Sequence, residues 1–151
     1  MKINWKKLII SIAIPVGLGA LVGLLTSGNN NYDTVIQPSF APPGILFPIV
    51  WTILYTLMGI SYYIVSENSI DDKASKIYWT QLIVNLLWSF LFFTFKLYFL
   101  SFLWILLLIS LVVVMIIKFY KIDKVSGLIQ IPYLLWLVFA SILNFSIYLL
   151  N

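Results

Sequence analysis

Charged residues fall in a few short clusters, and between them lie uncharged runs from Leu8 to Tyr32, Thr34 to Ser66, Ile77 to Phe95, Leu97 to Ile117 and Val125 to Asn151. A hydrocarbon layer of roughly 30 Å is crossed by about 20 helical residues, so each run holds one span. The first two runs meet in SGNNNYDTVIQPSFAPP, residues 27–43, whose Gly, Asn and Pro content cannot continue a helix. The pattern predicts an all-α membrane protein: one five-transmembrane-helix bundle with spans at about 5–26, 44–66, 75–95, 98–120 and 126–150 and a long loop, 27–43. No repeat of fixed period occurs, and five spans do not divide into halves, which argues against a repeat-built transporter. Lysines before the apolar stretch in MKINWKKLIISIAIPVGLGALVGLL imitate a signal peptide. That stretch is too long for a usual h-region and lacks an A-x-A site, so it reads as a retained helix.

Composition agrees with a lipid solvent: 62% of residues are hydrophobic and 9% charged, and the mean hydropathy is +1.05. The net charge of +4 is distributed by topology. With the N-terminus inside, inner segments hold Lys2, Lys6, Lys7, Lys73, Lys76, Lys118, Lys121 and Lys124, and outer segments only Lys96. The positive-inside rule then puts the N-terminus in the cytoplasm and residues 27–43 and the C-terminus outside. The basic balance is thus a membrane signal, and no nucleic-acid partner is expected. Cys and His are absent, which excludes disulfides and His-ligated haem and leaves no ordinary hydrolase or zinc centre. No charge lies deep in a span, so proton-relay and voltage-sensing roles lack their usual signature.

Aromatic residues, 17% of the chain with six tryptophans, carry the candidate chemistry. Trp5 and Tyr120 lie near span ends and read as interfacial anchors. Inside the spans, Trp51, Tyr55, Met58 and Tyr62 share one helical face, as do Gln81, Asn85, Trp88 and Ser89, and Tyr133, Trp136, Ala140 and Asn144. The amides of Gln81, Asn85, Gln130 and Asn144 require a partner in hydrocarbon, whether another helix, a water or a ligand. Aromatic walls with convergent amides suit a flat apolar ligand, stacked on its faces and oriented at its edge. The fourth span shows no such stripe and is expected to be the most lipid-exposed, with Trp104 structural. Gly19 and Gly23, beside Gly17, form a GxxxG that fits either packing within the bundle or homodimerisation. Pro15 and Pro132 are expected to kink their helices, the latter freeing a carbonyl near Leu128.

Three segments then carry a resemblance. PSFAPPGILFPIVWTILYTLMGI from Pro38, VNLLWSFLFF from Val84 and IPYLLWLVFASILNFSIYLLN from Ile131 resemble, in order and spacing, the signature regions of the TspO/translocator family, which includes the tryptophan-rich sensory proteins and the peripheral benzodiazepine receptor. The resemblance implies a homodimeric five-helix bundle with a pocket near its outer end, closed by the first loop. It further implies binding of tetrapyrroles, protoporphyrin IX or haem, and of flat drugs such as isoquinoline carboxamides, with no cofactor required. The residues carried across are Trp51, Asn85, Trp88, Tyr133, Trp136, Ala140 and Asn144, with Tyr32, Pro42 and Pro43 from the loop, and Tyr55 joins them from the stripe. The implied role is that of a sensor or regulator in a bacterial inner (plasma) membrane, the alternatives being ligand transport and light-dependent porphyrin degradation. Trp51 and Trp136 would be catalytic only in the last case. Phe40, Ile45 and Phe145 stand where the family often has Trp. The animal sterol motif is not matched after Tyr148; Val114, Tyr120 and Lys124 match its pattern only formally.

Overall fold

The structure, a computed structural model, describes residues 2–28, 30, 32–68 and 71–151; positions 29 and 31 of the expected loop lie outside the described residues. Its helices are α1 (Trp5–Ser27), α2 (Leu46–Asn68), α3 (Asp72–Ser89), continued by a π-helical turn Phe90–Thr94, α4 (Tyr98–Ile122), α5 (Lys124–Ile129) and α6 (Ile131–Leu150). They make five segments long and apolar enough to cross a membrane, the last formed by α5 and α6 together. The chain is therefore an all-α, multi-pass integral membrane protein.

Polar side chains terminate the spans where water can reach them. Asn4, Asp71 and Asp123 cap α1, α3 and α5, accepting from the backbone N–H groups of Lys7, Lys73 and Ser126. These three helix starts share one end of the up-and-down bundle, where Lys7 also pairs with Glu67 at 3.3 Å. At the opposite end the π turn closes with Phe95 N–H donating to Phe90 O at 2.8 Å. Lys96, at a left-handed φ of 56°, then turns the chain into α4.

Two expectations need correction. The fourth span is not the most exposed: α4 buries Ser101, Ile105, Leu108, Val112, Met115 and Phe119, whereas α1 buries only Pro15 and Thr26. Because nearly every position of α4 is apolar, no polar contrast in its sequence distinguishes the inner face from the lipid face. Nor does Pro132 kink a continuous helix. It lies in the first turn of α6, where its missing N–H leaves no bond unmade, and the break falls at Gln130, whose N–H returns to the Gly127 and Leu128 carbonyls. The glycines of α1 divide, and Gly19 follows the reading of packing within the bundle. A Cβ on Gly19 would meet the Tyr55 ring at 2.3 Å, so Gly19 packs within the bundle, while Gly17 and Gly23 face open space. The close approach of α1 to α2 depends on Gly59, where a Cβ would lie 2.4 Å from Ile12 Cα and 2.5 Å from the Ser11 carbonyl.

Candidate functional site

Two hydrogen-bonded nodes tie the spans together beneath the long loop. In the first, Tyr55 Oη donates to Asn85 Oδ1 at 2.7 Å, Asn85 Nδ2 donates to Tyr133 Oη at 2.7 Å, and Tyr133 Oη donates to Gln81 Oε1 at 2.8 Å. Each hydroxyl donates once, Asn85 accepts through Oδ1 and donates through Nδ2, and Gln81 accepts, so α2, α3 and α6 are joined by a ladder of neutral groups. In the second, Asn144 Oδ1 accepts from Trp88 Nε1 and Ser101 Oγ, both at 3.1 Å, and its Nδ2 donates to the Tyr98 carbonyl at 2.8 Å. Three of the four amides that required partners have therefore found protein ones, Gln81 completing its set with a contact from Nε2 to Met58 Sδ at 3.9 Å. Gln130 has not.

Aromatic rings lie over these nodes. Trp51 stacks on Tyr55 at 5.4 Å between centroids and meets Tyr133 edge-on at 6.2 Å. Trp136 meets Phe47 edge-on at 5.7 Å and leans on Phe139 at 5.4 Å, and Phe47 lies one turn before Trp51 on α2. Trp88 stacks on Phe92 at 5.0 Å. Among the indoles in this cluster, Trp136 differs in one respect: its Nε1 is buried and has no hydrogen-bond partner. Trp104, as expected of a structural residue, donates its indole N–H to the Val84 carbonyl at 2.7 Å.

The loop covers the cluster. Tyr32 is buried, packs edge-on against Phe47 at 4.9 Å and donates its phenol to the Pro42 carbonyl at 2.7 Å. Burial, and secondarily the Asp33 carboxylate, push that phenol above its ordinary pKa, so it keeps the proton it donates. Pro43 accepts from Leu46 N–H and sets the entry to α2. The Asn151 side chain pairs with the backbone of Ile36 in both directions, accepting its N–H at 3.1 Å and donating to its carbonyl at 2.9 Å. Asn151→Ala removes that clamp, and hydrogen exchange of the Ile36 amide is expected to accelerate about 3- to 10-fold, the loss of roughly one net hydrogen bond from the closed loop.

The structure thus gathers Tyr32, Pro42, Trp51, Trp88, Trp136, Ala140 and Asn144 on the loop side of the bundle, with Tyr55, Asn85 and Tyr133 below them near the middle of their spans. Sequence reading missed Phe47 and Phe92, although each continues a stripe at a spacing of four, and missed Asn151, which lies past the last span where periodicity carries no signal. Tyr62, assigned to the same stripe as Trp51, instead stacks on Tyr78 at 4.2 Å at the other end. Between Tyr32, Phe47, Trp88, Phe92, Ala140 and Asn144 there remains a cleft of only about 10 Å³. That is far short of the roughly 300–1,000 Å³ of a drug-sized pocket, so a ligand enters only if the loop lifts and the rings part.

Residues 11–150 match the TspO/MBR family. A tryptophan-rich protein TspO from Archaeoglobus fulgidus is 39% identical, the alignment covering 98% of this chain and 99% of that one. The tryptophan-rich sensory protein of Cereibacter sphaeroides is 30% identical over 100% and 95% of the two chains. The translocator protein of Sus scrofa is 26% identical over 83% and 77%.

Proposed function

The chain belongs to the TspO/MBR family, and from that premise we propose that it binds flat hydrophobic ligands, tetrapyrroles foremost, at the aromatic cluster beneath the loop and serves as a sensor or regulator. The observation that carries this reading is the Trp136 indole N–H, buried among rings and left without an acceptor. A buried donor in this state lacks a bond that a ligand's carboxylate or carbonyl edge can supply. The faces of such a ligand would lie against Trp51 and Phe47, and Asn85 and Asn144, whose bonds are taken by protein groups, would hold the walls in place. The regulatory part of the proposal draws on the names of relatives, one of which is called a sensory protein. The orientation proposed is N-terminus inside, from the lysine distribution, with the loop on the outer side of a bacterial plasma membrane and a homodimer as the working form.

With no histidine or cysteine to ligate iron, metal-free protoporphyrin IX is expected to bind about as well as haem. Titration in detergent, followed by tryptophan quenching in the dark, tests this. Absence of saturable quenching by either porphyrin or by an isoquinoline carboxamide would refute the proposal. Trp136→Phe is expected to weaken binding about 3- to 10-fold, one net hydrogen bond, while leaving the melting temperature unchanged or raised, because the indole N–H it removes is unsatisfied without ligand.

A further inference from the structure

The ladder from Tyr55 through Asn85 and Tyr133 to Gln81 descends the bundle away from the loop. Below it lie three polar atoms with no protein partner: Tyr78 Oη and both side-chain atoms of Gln130, Nε2 and Oε1. Both residues have 0% exposure. Tyr78 stands one turn before Gln81 on α3, and Gln130 one turn before Tyr133 in the fifth span. These two segments, the third and fifth of an alternating bundle, run in the same direction. Since Tyr133 Oη meets Gln81 Oε1 at 2.8 Å, the same register carried back one turn sets Gln130 level with Tyr78.

The surroundings agree with that placement. The Tyr78 ring lies between Tyr62, at 4.2 Å and 13°, and Phe119, at 6.2 Å and 21°. The Phe119 carbonyl accepts from Ser126 Oγ at 3.1 Å, and Ser126 is one turn before Gln130. Gln130 also sits at the break between α5 and α6, where the regular ladder of backbone bonds is interrupted. A carboxamide has two donors and two acceptor positions, and a membrane interior supplies no solvent to satisfy them. The neighbouring rings offer none either.

We infer that this layer is a water-binding site, in which one or two ordered waters bridge the Tyr78 phenol and the Gln130 carboxamide and prolong the ladder toward the end of the bundle where Tyr62 Oη bonds Ser75 Oγ. Buried waters of this kind hold two to four bonds to groups that would otherwise be unsatisfied. The water site is inferred from Tyr78 and Gln130 alone and holds with the aromatic cluster empty or filled.

The test uses the full chain in two measurements. A structure from a lipidic phase at a resolution that shows water should reveal density within hydrogen-bonding distance of both Tyr78 Oη and the Gln130 amide; a direct Tyr78–Gln130 bond with no water overturns the inference. In thermal melts, Gln130→Met and Tyr78→Phe are each expected to lower Tm by about 3 °C or more. The double variant should lose no more than the larger single loss, because both partners hold the same water. A Gln130→Met protein that melts above the parent marks a dry, unsatisfied amide and refutes the site, as do fully additive losses.

Discussion

Replacing Gly59 by alanine is expected to loosen α1 from the rest of the bundle, at a cost of about 1–3 kcal/mol, with valine worse. The added Cβ would sit 2.4 Å from Ile12 Cα and 2.5 Å from the Ser11 carbonyl, and both obstacles are backbone. No side chain can rotate out of the way, so the helices themselves must separate. That separation also stretches the bond from Ser11 Oγ to the Gly59 carbonyl, 2.7 Å long in the native protein. Beyond this point α1 is held by Gly19 against the Tyr55 ring, by the Asn4 N–H donating to Tyr63 Oη at 2.8 Å and by the Lys7–Glu67 pair, while most of its surface faces outward. The chain contains no cysteine, so a pair of introduced thiols on α1 and α2 reports the distance between them without background; the crosslinking yield should fall in the Gly59→Ala protein along with its melting temperature. Gly23→Ala is the control. Its Cβ enters open space, and alanine improves helix propensity by up to about 1 kcal/mol, so stability should hold or rise. If Gly59→Ala melts like the parent, the α1–α2 contact described above is wrong.

The second large effect is expected at the centre of the ladder. Asn85→Leu preserves approximate size but removes the acceptor of the Tyr55 hydroxyl and a donor to the Tyr133 hydroxyl. Tyr133 still donates to Gln81, whereas Tyr55 is left buried with no acceptor. One desolvated hydroxyl and one lost bond together amount to about 2–4 kcal/mol. The mechanism makes a sharper demand than the magnitude. Tyr55→Phe placed in the Asn85→Leu background should recover part of the loss, because removing both partners leaves an apolar contact instead of an unpaired group. Because Trp51 stacks on Tyr55, ligand affinity should follow stability through the same cycle. Chemical unfolding of the four proteins in detergent measures it, and additive losses would show that the two residues do not act together.

The five spans were legible because charge punctuates this sequence so cleanly, and the faces of α2, α3 and α6 because single amides and phenols interrupt otherwise apolar stretches. Contrast is the common cause. Where it fails, the reading fails: α4 is apolar on all sides, so its buried row from Ser101 to Phe119 resembles its lipid face. The need of Asn85 and Asn144 for partners could be read from the hydrocarbon around them, but the choice among helix, water and ligand depends on which helices meet, which no single span encodes. The same holds for glycine. Gly23 and Gly59 are equivalent as letters, and only the approach of Ile12 makes one of them indispensable. Asn151 reaches Ile36 across 115 positions, a contact without local periodicity to announce it.

The ladder joining α2, α3 and α6 consists of phenols and carboxamides that carry no formal charge. An electrical potential across the membrane therefore exerts almost no net pull on the protein's own interior. A dianionic guest arriving under the loop would be the dominant charge within the hydrocarbon depth, and moving one charge fully through 100 mV is worth about 2.3 kcal/mol. On an energised cell, occupancy should consequently vary with voltage in proportion to how deep the guest's carboxylates sit, which would turn a patch-clamped or potential-clamped vesicle into a ruler for that depth.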